Sequence, residues 1–128
     1  MPEKLKLALI VAQPSPLRDA LRALVTTMSQ IEIVAETGSV AVLAEMHTRF
    51  QPDLVVLDAN VPDEDVWQAL AQLKSTCAQT KSCVLVENND QQRKAEISGA
   101  DLVLHKGFPA AELAEILEEL LTQINNEG

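Results

Sequence analysis

Pro52-Asp53-Leu54-Val55-Val56-Leu57-Asp58-Ala59-Asn60-Val61-Pro62 is the stretch on which the fold of this chain turns. Leu54 to Leu57 is an aliphatic run without a polar break, the pattern of a strand covered on both faces of a parallel sheet. Pro52-Asp53 ends the segment before it. Pro62-Asp63 predicts the start of a helix after it, with apolar positions at Val66, Ala69, Leu70 and Leu73. One carboxylate, Asp58, therefore follows the run directly, at the strand end where chemistry gathers in an open parallel sheet.

The same alternation of short aliphatic runs with segments of helical period continues to either side. Leu5 to Val11 reads as a first strand, and Pro14-Ser15-Pro16 precedes Leu17, Leu21, Leu24, Val25 and Met28 at helical spacing. Ile31 to Ala35 is a second strand, and Gly38-Ser39 introduces a helix whose stripe is Val40, Leu43, Met46 (or His47) and Phe50. Beyond Asp58, Cys83 to Val86 is a fourth strand, and the polar stretch from Glu87 to Ser98 holds a short helix before Gly99. Leu102 to Leu104 is the fifth strand. Pro109 opens a last helix carrying Leu113, Ile116, Leu117, Leu120, Leu121 and Ile124. Such alternation predicts an α/β fold with a parallel sheet and right-handed crossovers. One domain is expected over residues 1–124, with 125–128 as a frayed tail.

Composition narrows the function. A chain of 128 residues suffices for one domain with a real core. It has two Phe, one Trp and no Tyr, too few rings for a base-stacking platform. The formal charge of −9 would be repelled by nucleic acid and by anionic membrane surfaces, so neither is expected as a partner. Cys77 and Cys83 have no second pair and form neither a zinc set nor a disulfide framework; Cys83 reads as a small core residue. No long apolar stretch follows Met1 to Lys6, so no signal peptide or membrane span is expected, and the cytoplasm is the default location. His47 and His105 lack ligand spacing, Trp67 reads as a packing residue, and Glu112, Glu115, Glu118 and Glu119 read as the solvated face of the last helix.

The residues after each strand define the candidate site. They are Ala12 and Gln13, then Asp58, Ala59 and Asn60, then Glu87, Asn88 and Asn89, and last His105, Lys106 and Gly107. A carboxylate and a lysine on neighbouring strand ends suggest a phosphoryl site, with Asp58 as nucleophile and Lys106 as counter-charge.

The stretch from Pro52 to Pro62 resembles the third strand and following loop of bacterial response-regulator receiver domains. Leu9-Ile10-Val11 with Pro16 to Leu21 is similar to that family's opening strand and helix, and Gly99-Ala100-Asp101 with Leu104-His105-Lys106 to its fifth strand and lysine. The resemblance covers nearly the whole chain in order. It implies a flavodoxin-like (βα)5 doubly wound sheet of strand order 2-1-3-4-5, with the first and last helices on one face and the rest on the other. It further implies that Asp58 accepts a phosphoryl group from a histidine kinase or phosphotransfer protein, that Lys106 pairs with it, and that an output or effector protein reads the result. A Mg²⁺ ion would be held by Asp58, the backbone carbonyl of Asn60 and, weakly, Gln13.

Several positions depart from the family. Ala12 and Gln13 stand where two acidic residues are usual, so Mg²⁺ binding should be weak. Glu87 occupies the switch position of a Thr or Ser, Val103 that of an aromatic, and Gly107 that of a Pro. The segment between Glu87 and Gly99 is also short for the family. An ion pair between Glu87 and Lys106 is expected. These departures keep a second reading open, a phosphorylation-independent pseudo-receiver acting through protein–protein contact. A nucleotide-binding enzyme has little support, since no G-x-G-x-x-G or G-K-[ST] loop follows the first strand. A homodimer would use the first and last helices, where Leu117, Leu120, Leu121 and Ile124 demand a wide stripe.

Overall fold

A computed structural model describes residues 5–41, 43, 51–61 and 65–127 of the chain. Its five strands are β1 (Lys6–Val11), β2 (Ile31–Thr37), β3 (Leu54–Asp58), β4 (Lys81–Val86) and β5 (Leu102–His105). They form one sheet in the order β2-β1-β3-β4-β5, and every neighbouring pair is parallel. This is the doubly wound, flavodoxin-like arrangement. Four helices are described: α1 (Pro16–Thr26), α2 (Val66–Thr76), α3 (Asn89–Ile97) and α4 (Ala110–Glu127).

The sheet divides two apolar layers. Ala8, Ile10, Leu54, Val56, Cys83 and Leu85 point to one side, against Leu21, Val25 and Met28 of the α1 segment and Leu113, Leu117 and Leu120 of α4. Leu9, Val11, Val55, Leu57, Val84 and Val86 point to the other, against Val66, Leu70 and Leu73 of α2 and Ala95 of α3. Val40 and Leu43 join this second layer, while Met46, His47 and Phe50 lie outside the described residues. β3 is buried throughout, whereas the edge strands β2 and β5 are mostly half-exposed. Burying one large aliphatic side chain contributes about 1.5–3 kcal/mol, so the three central strands hold the sheet together. At Cys83, burial pushes the thiol up to about 12, and it stays an unreactive core group.

Two element ends differ from the sequence reading. α2 starts at Val66 rather than at Pro62-Asp63, because Asp65 is its N-cap and accepts from the Gln68 N–H at 3.0 Å. Residues 62–64 lie outside the described residues. α4 runs to Glu127, three residues beyond Ile124, the last apolar position of its stripe. Leu117 and Leu120 both face the core, and the side chains of Leu121 and Ile124 lie outside the described residues.

Carboxylates also secure the amino-terminal edge of the sheet. Asp53 accepts from the Leu7 N–H at 2.8 Å, joining the start of β3 to β1. Asp101 accepts from the Ser82 N–H at 2.8 Å and pairs with Lys74 at 2.7 Å, fixing the start of β5 against β4 and α2. Gly99, at φ +100°, ends the α3 region in the left-handed conformation that glycine adopts without strain. Among the described residues, no helix is long and apolar enough to cross a membrane.

Candidate functional site

Asp58 is the last residue of β3, and its side chain emerges at the carboxyl ends of the strands, 12% exposed. Lys106 directly follows β5, where its N–H donates to the Val86 carbonyl at 2.8 Å. That bond fixes the start of its side chain beside β4. The ammonium Nζ reaches Asp58 Oδ1 at 2.8 Å and Glu87 Oε1 at 3.3 Å. One cation therefore bridges two carboxylates, and the trio keeps a net negative charge. The contact expected between Glu87 and Lys106 is present, although the Glu87 side chain is 55% exposed and its attraction is screened by water.

Asp58 Oδ1 also accepts from the Asn60 N–H at 2.9 Å. No hydrogen bond from the described residues reaches Oδ2. Ala59 and Val61 on either side of Asn60 are buried, and the Ala59 N–H donates to the Leu85 carbonyl at 3.0 Å, so the turn after β3 is anchored to β4. Gly107 explains its departure from proline: its φ of +100° lies far from the value near −65° that a proline ring imposes.

The β1 side of the crevice is organised otherwise. Ala12 is fully buried, and the Gln13 amide nitrogen donates to the Gly38 carbonyl at 2.8 Å, tying β1 to the loop after β2. Arg18 Nη1 donates to the Ala12 carbonyl at 3.2 Å, and its Nε lies 3.7 Å from Glu36. Glu36 accepts from Arg22 Nε at 2.7 Å, and this hydrogen bond holds its carboxyl below the usual 4.5. Among the described residues, no group of three or more His, Cys, Asp or Glu side chains converges to hold a metal.

With a buried acidic strand end, a bridging lysine and the 2-1-3-4-5 sheet in place, the comparison with known proteins becomes specific. Residues 8–118 match the response regulator receiver domain family. The chain belongs to that family. A chemotaxis protein CheY of Halobacterium salinarum is 29% identical over 119 residues, covering 91% of this chain and 98% of that protein. A response regulator protein VraR of Staphylococcus saprophyticus is 28% identical over 123 residues, covering 94% of this chain and 57% of its own length. The crystal structure of the signal receiver domain of an HD domain-containing protein from Pseudomonas fluorescens Pf-5 superposes with a TM-score of 0.86. It shares 19% identity and covers 99% of this chain and 94% of its own, a likeness of fold alone.

The receiver crevice holds features that strand-end residues did not reveal. An apolar groove of about 420 Å³ opens beside Asp58 and Lys106, lined by Ser15, Leu17, Leu21, Leu24, Phe108 and Leu113 among others. Leu17 and Leu24 were legible as helix positions, but their turn toward the site depends on how α1 packs. The Gln91 side chain, which joins the loops after β3 and β4, carried no sequence signal. His105 points away from Lys106, with Nε2 2.6 Å from Gln92 Oε1, and is exposed. Trp67 is half-buried against the α2 layer, and Glu112, Glu115, Glu118 and Glu119 of α4 are exposed.

Proposed function

We propose that Asp58 is the phosphoacceptor of this receiver domain, with a histidine kinase or phosphotransfer protein as donor and an effector or output domain as reader. The observation that carries this reading is the 2.8 Å contact of Lys106 with Asp58 Oδ1 at the end of the buried central strand, leaving Oδ2 unengaged by the described residues. An Oδ2–P bond would form as the P–N bond of a phosphohistidine breaks, and the departing imidazole nitrogen would take a proton. Lys106 would hold the charge of the resulting acyl phosphate. The domain accepts and relays a group in this reading, and the cytoplasm is its proposed location.

Asp58 and the Asn60 carbonyl would be the oxygen donors offered to Mg²⁺, an ion that takes one or two carboxylates and keeps several waters. Gln13 would add only a neutral oxygen, and its amide nitrogen is already engaged with Gly38. This donor set fits a weakly held ion, whose contribution when bound would be to neutralise charge on the transferring phosphoryl.

A second reading is favoured by one observation: Glu87 supplies Lys106 with a carboxylate that needs no phosphorylation. In that reading the chain is a pseudo-receiver whose partner contacts ignore Asp58. Acetyl phosphate with Mg²⁺, followed by intact mass, separates the two. The phosphoacceptor reading expects a single added phosphoryl group, absent from Asp58→Ala. An unmodified wild type at saturating donor and Mg²⁺ would leave the pseudo-receiver.

A further inference from the structure

Gln91 lies in the first turn of α3, half-buried, and uses both ends of its side-chain amide across the rim of the crevice. Its Oε1 accepts from the Glu87 N–H at 2.8 Å, and its Nε2 donates to Asn60 Oδ1 at 2.8 Å. Its own N–H donates to the helix cap Asn88 at 2.8 Å, so the root of the side chain is held as well. The amide can point only one way. A backbone N–H donates and never accepts, so the oxygen must face Glu87 and the nitrogen must face Asn60. Asn60 then presents its oxygen to Gln91, while its N–H donates to Asp58 Oδ1 at 2.9 Å. A continuous chain of hydrogen bonds thus leads from α3 to the reactive carboxylate.

We infer that Gln91 is a positioning residue for Asp58: it staples the turn after β3 to the loop after β4 and thereby holds the Asn60 N–H on Oδ1. The inference rests on Asp58 as phosphoacceptor for its consequence, though not for its geometry. Because Ala59 and Val61 anchor the turn in the core, the staple governs the orientation of the exposed Asn60 peptide between them and leaves the fold of the turn alone. With the Asn60 N–H on Oδ1, the two carboxylate oxygens are unlike, and Oδ2 is the one that attacks. Without it, Lys106 alone distinguishes them. The same staple holds the Glu87 backbone, so the loops carrying Asn60 and Glu87 move together.

The test is Gln91→Met, which keeps the length of the side chain and removes both hydrogen bonds. Amide hydrogen exchange in the unphosphorylated protein should quicken at Asn60 and Glu87 by about threefold to tenfold, the scale of one net hydrogen bond, with the melting temperature essentially unchanged. The initial rate of acyl phosphate formation from acetyl phosphate at fixed Mg²⁺ should fall by a similar factor. Asn60→Asp keeps an oxygen for Nε2 and should retain the protection of the Glu87 amide, whereas Asn60→Ala should lose it. In the Asn60→Ala background, Gln91→Met should have little further effect on the rate. Unchanged exchange at Asn60 in Gln91→Met overturns the inference, as does an equal loss of rate with and without the Asn60 side chain. If the wild type takes up no phosphoryl, the phosphoacceptor reading fails by itself, and the exchange of the Asn60 and Glu87 amides decides the staple alone.

Discussion

The two sides of the crevice at the carboxyl ends of the strands are built for different purposes. On the β3, β4 and β5 side, Asp58, Lys106 and Glu87 form a three-membered charge cluster around an oxygen that no described residue occupies. On the β1 and β2 side, Gln13, Arg18, Arg22 and Glu36 use their polar groups on the Gly38 and Ala12 carbonyls and on one another. The first side leaves one Asp58 oxygen without a described partner, and the second commits its polar groups to scaffold bonds. The end of β3 thus keeps a carboxylate oxygen that no described residue hydrogen-bonds, while the polar side chain at the end of β1 is tied to the neighbouring loop.

The largest effect should come from the charge that joins the acceptor side together. Lys106→Gln leaves Asp58 and Glu87 facing each other without a cation, and the rate of phosphorylation by acetyl phosphate should fall by about a hundredfold, the scale of losing one donor to a developing charge. A rate within twofold of wild type would mean that Lys106 serves the fold rather than the site.

Restoring charge to the scaffold side should act in the opposite direction. Gln13→Asp gives up the bond to Gly38 and returns a carboxylate to the end of β1, and it should tighten Mg²⁺ binding by about tenfold, or about 1.4 kcal/mol. Titration calorimetry reads the constant directly. Equal affinity for the two proteins would show that the β1 end does not face the metal.

Glu87→Thr removes the second carboxylate from Lys106 and exchanges a repulsive group for a hydroxyl. The Glu87 side chain is more than half exposed, which limits the repulsion to the aqueous scale of about 1 kcal/mol near 4 Å, or about fivefold in phosphorylation yield. The gain should be clearest in the Gln13→Asp background, where metal is no longer limiting. No gain there would mean that Glu87 is neutral toward the incoming phosphoryl.

The smallest effect belongs to Glu36. Its carboxyl is held below 4.5 in the folded chain by Arg22, so its stabilisation is complete above that pH and is lost as the pH falls through the folded value. Glu36→Gln should slightly flatten the decline in urea midpoint as the pH falls below 4.5, as expected for an exposed pair, and leave phosphorylation unchanged. A loss of phosphorylation would bring the scaffold side back into the site.

The fold was legible because the central strands are unambiguous. Leu54 to Leu57 and Cys83 to Val86 are buried on both faces, and an unbroken aliphatic run satisfies that environment better than an alternating one. Helix ends were less legible. Pro62-Asp63 reads as the opening of α2, whereas its N-cap is Asp65, which accepts from the Gln68 N–H. In the site, Asp58, Lys106 and Glu87 could be brought together because each ends or directly follows a strand, and parallel strands deliver their ends to one crevice. Gln91 and Arg18 could not be found that way. Their partners lie on other segments of the chain, and hydrogen bonds of that kind leave no periodic mark on the sequence.

The most direct measurement locates the label. Wild-type protein treated with acetyl phosphate and Mg²⁺ is reduced with borohydride, which converts an aspartyl phosphate to homoserine, and the peptides are mapped by mass. The account predicts conversion at residue 58 alone, abolished in Asp58→Asn and increased in the Gln13→Asp and Glu87→Thr double variant. Conversion at any other carboxylate, or none at residue 58 even in that double variant, would contradict it.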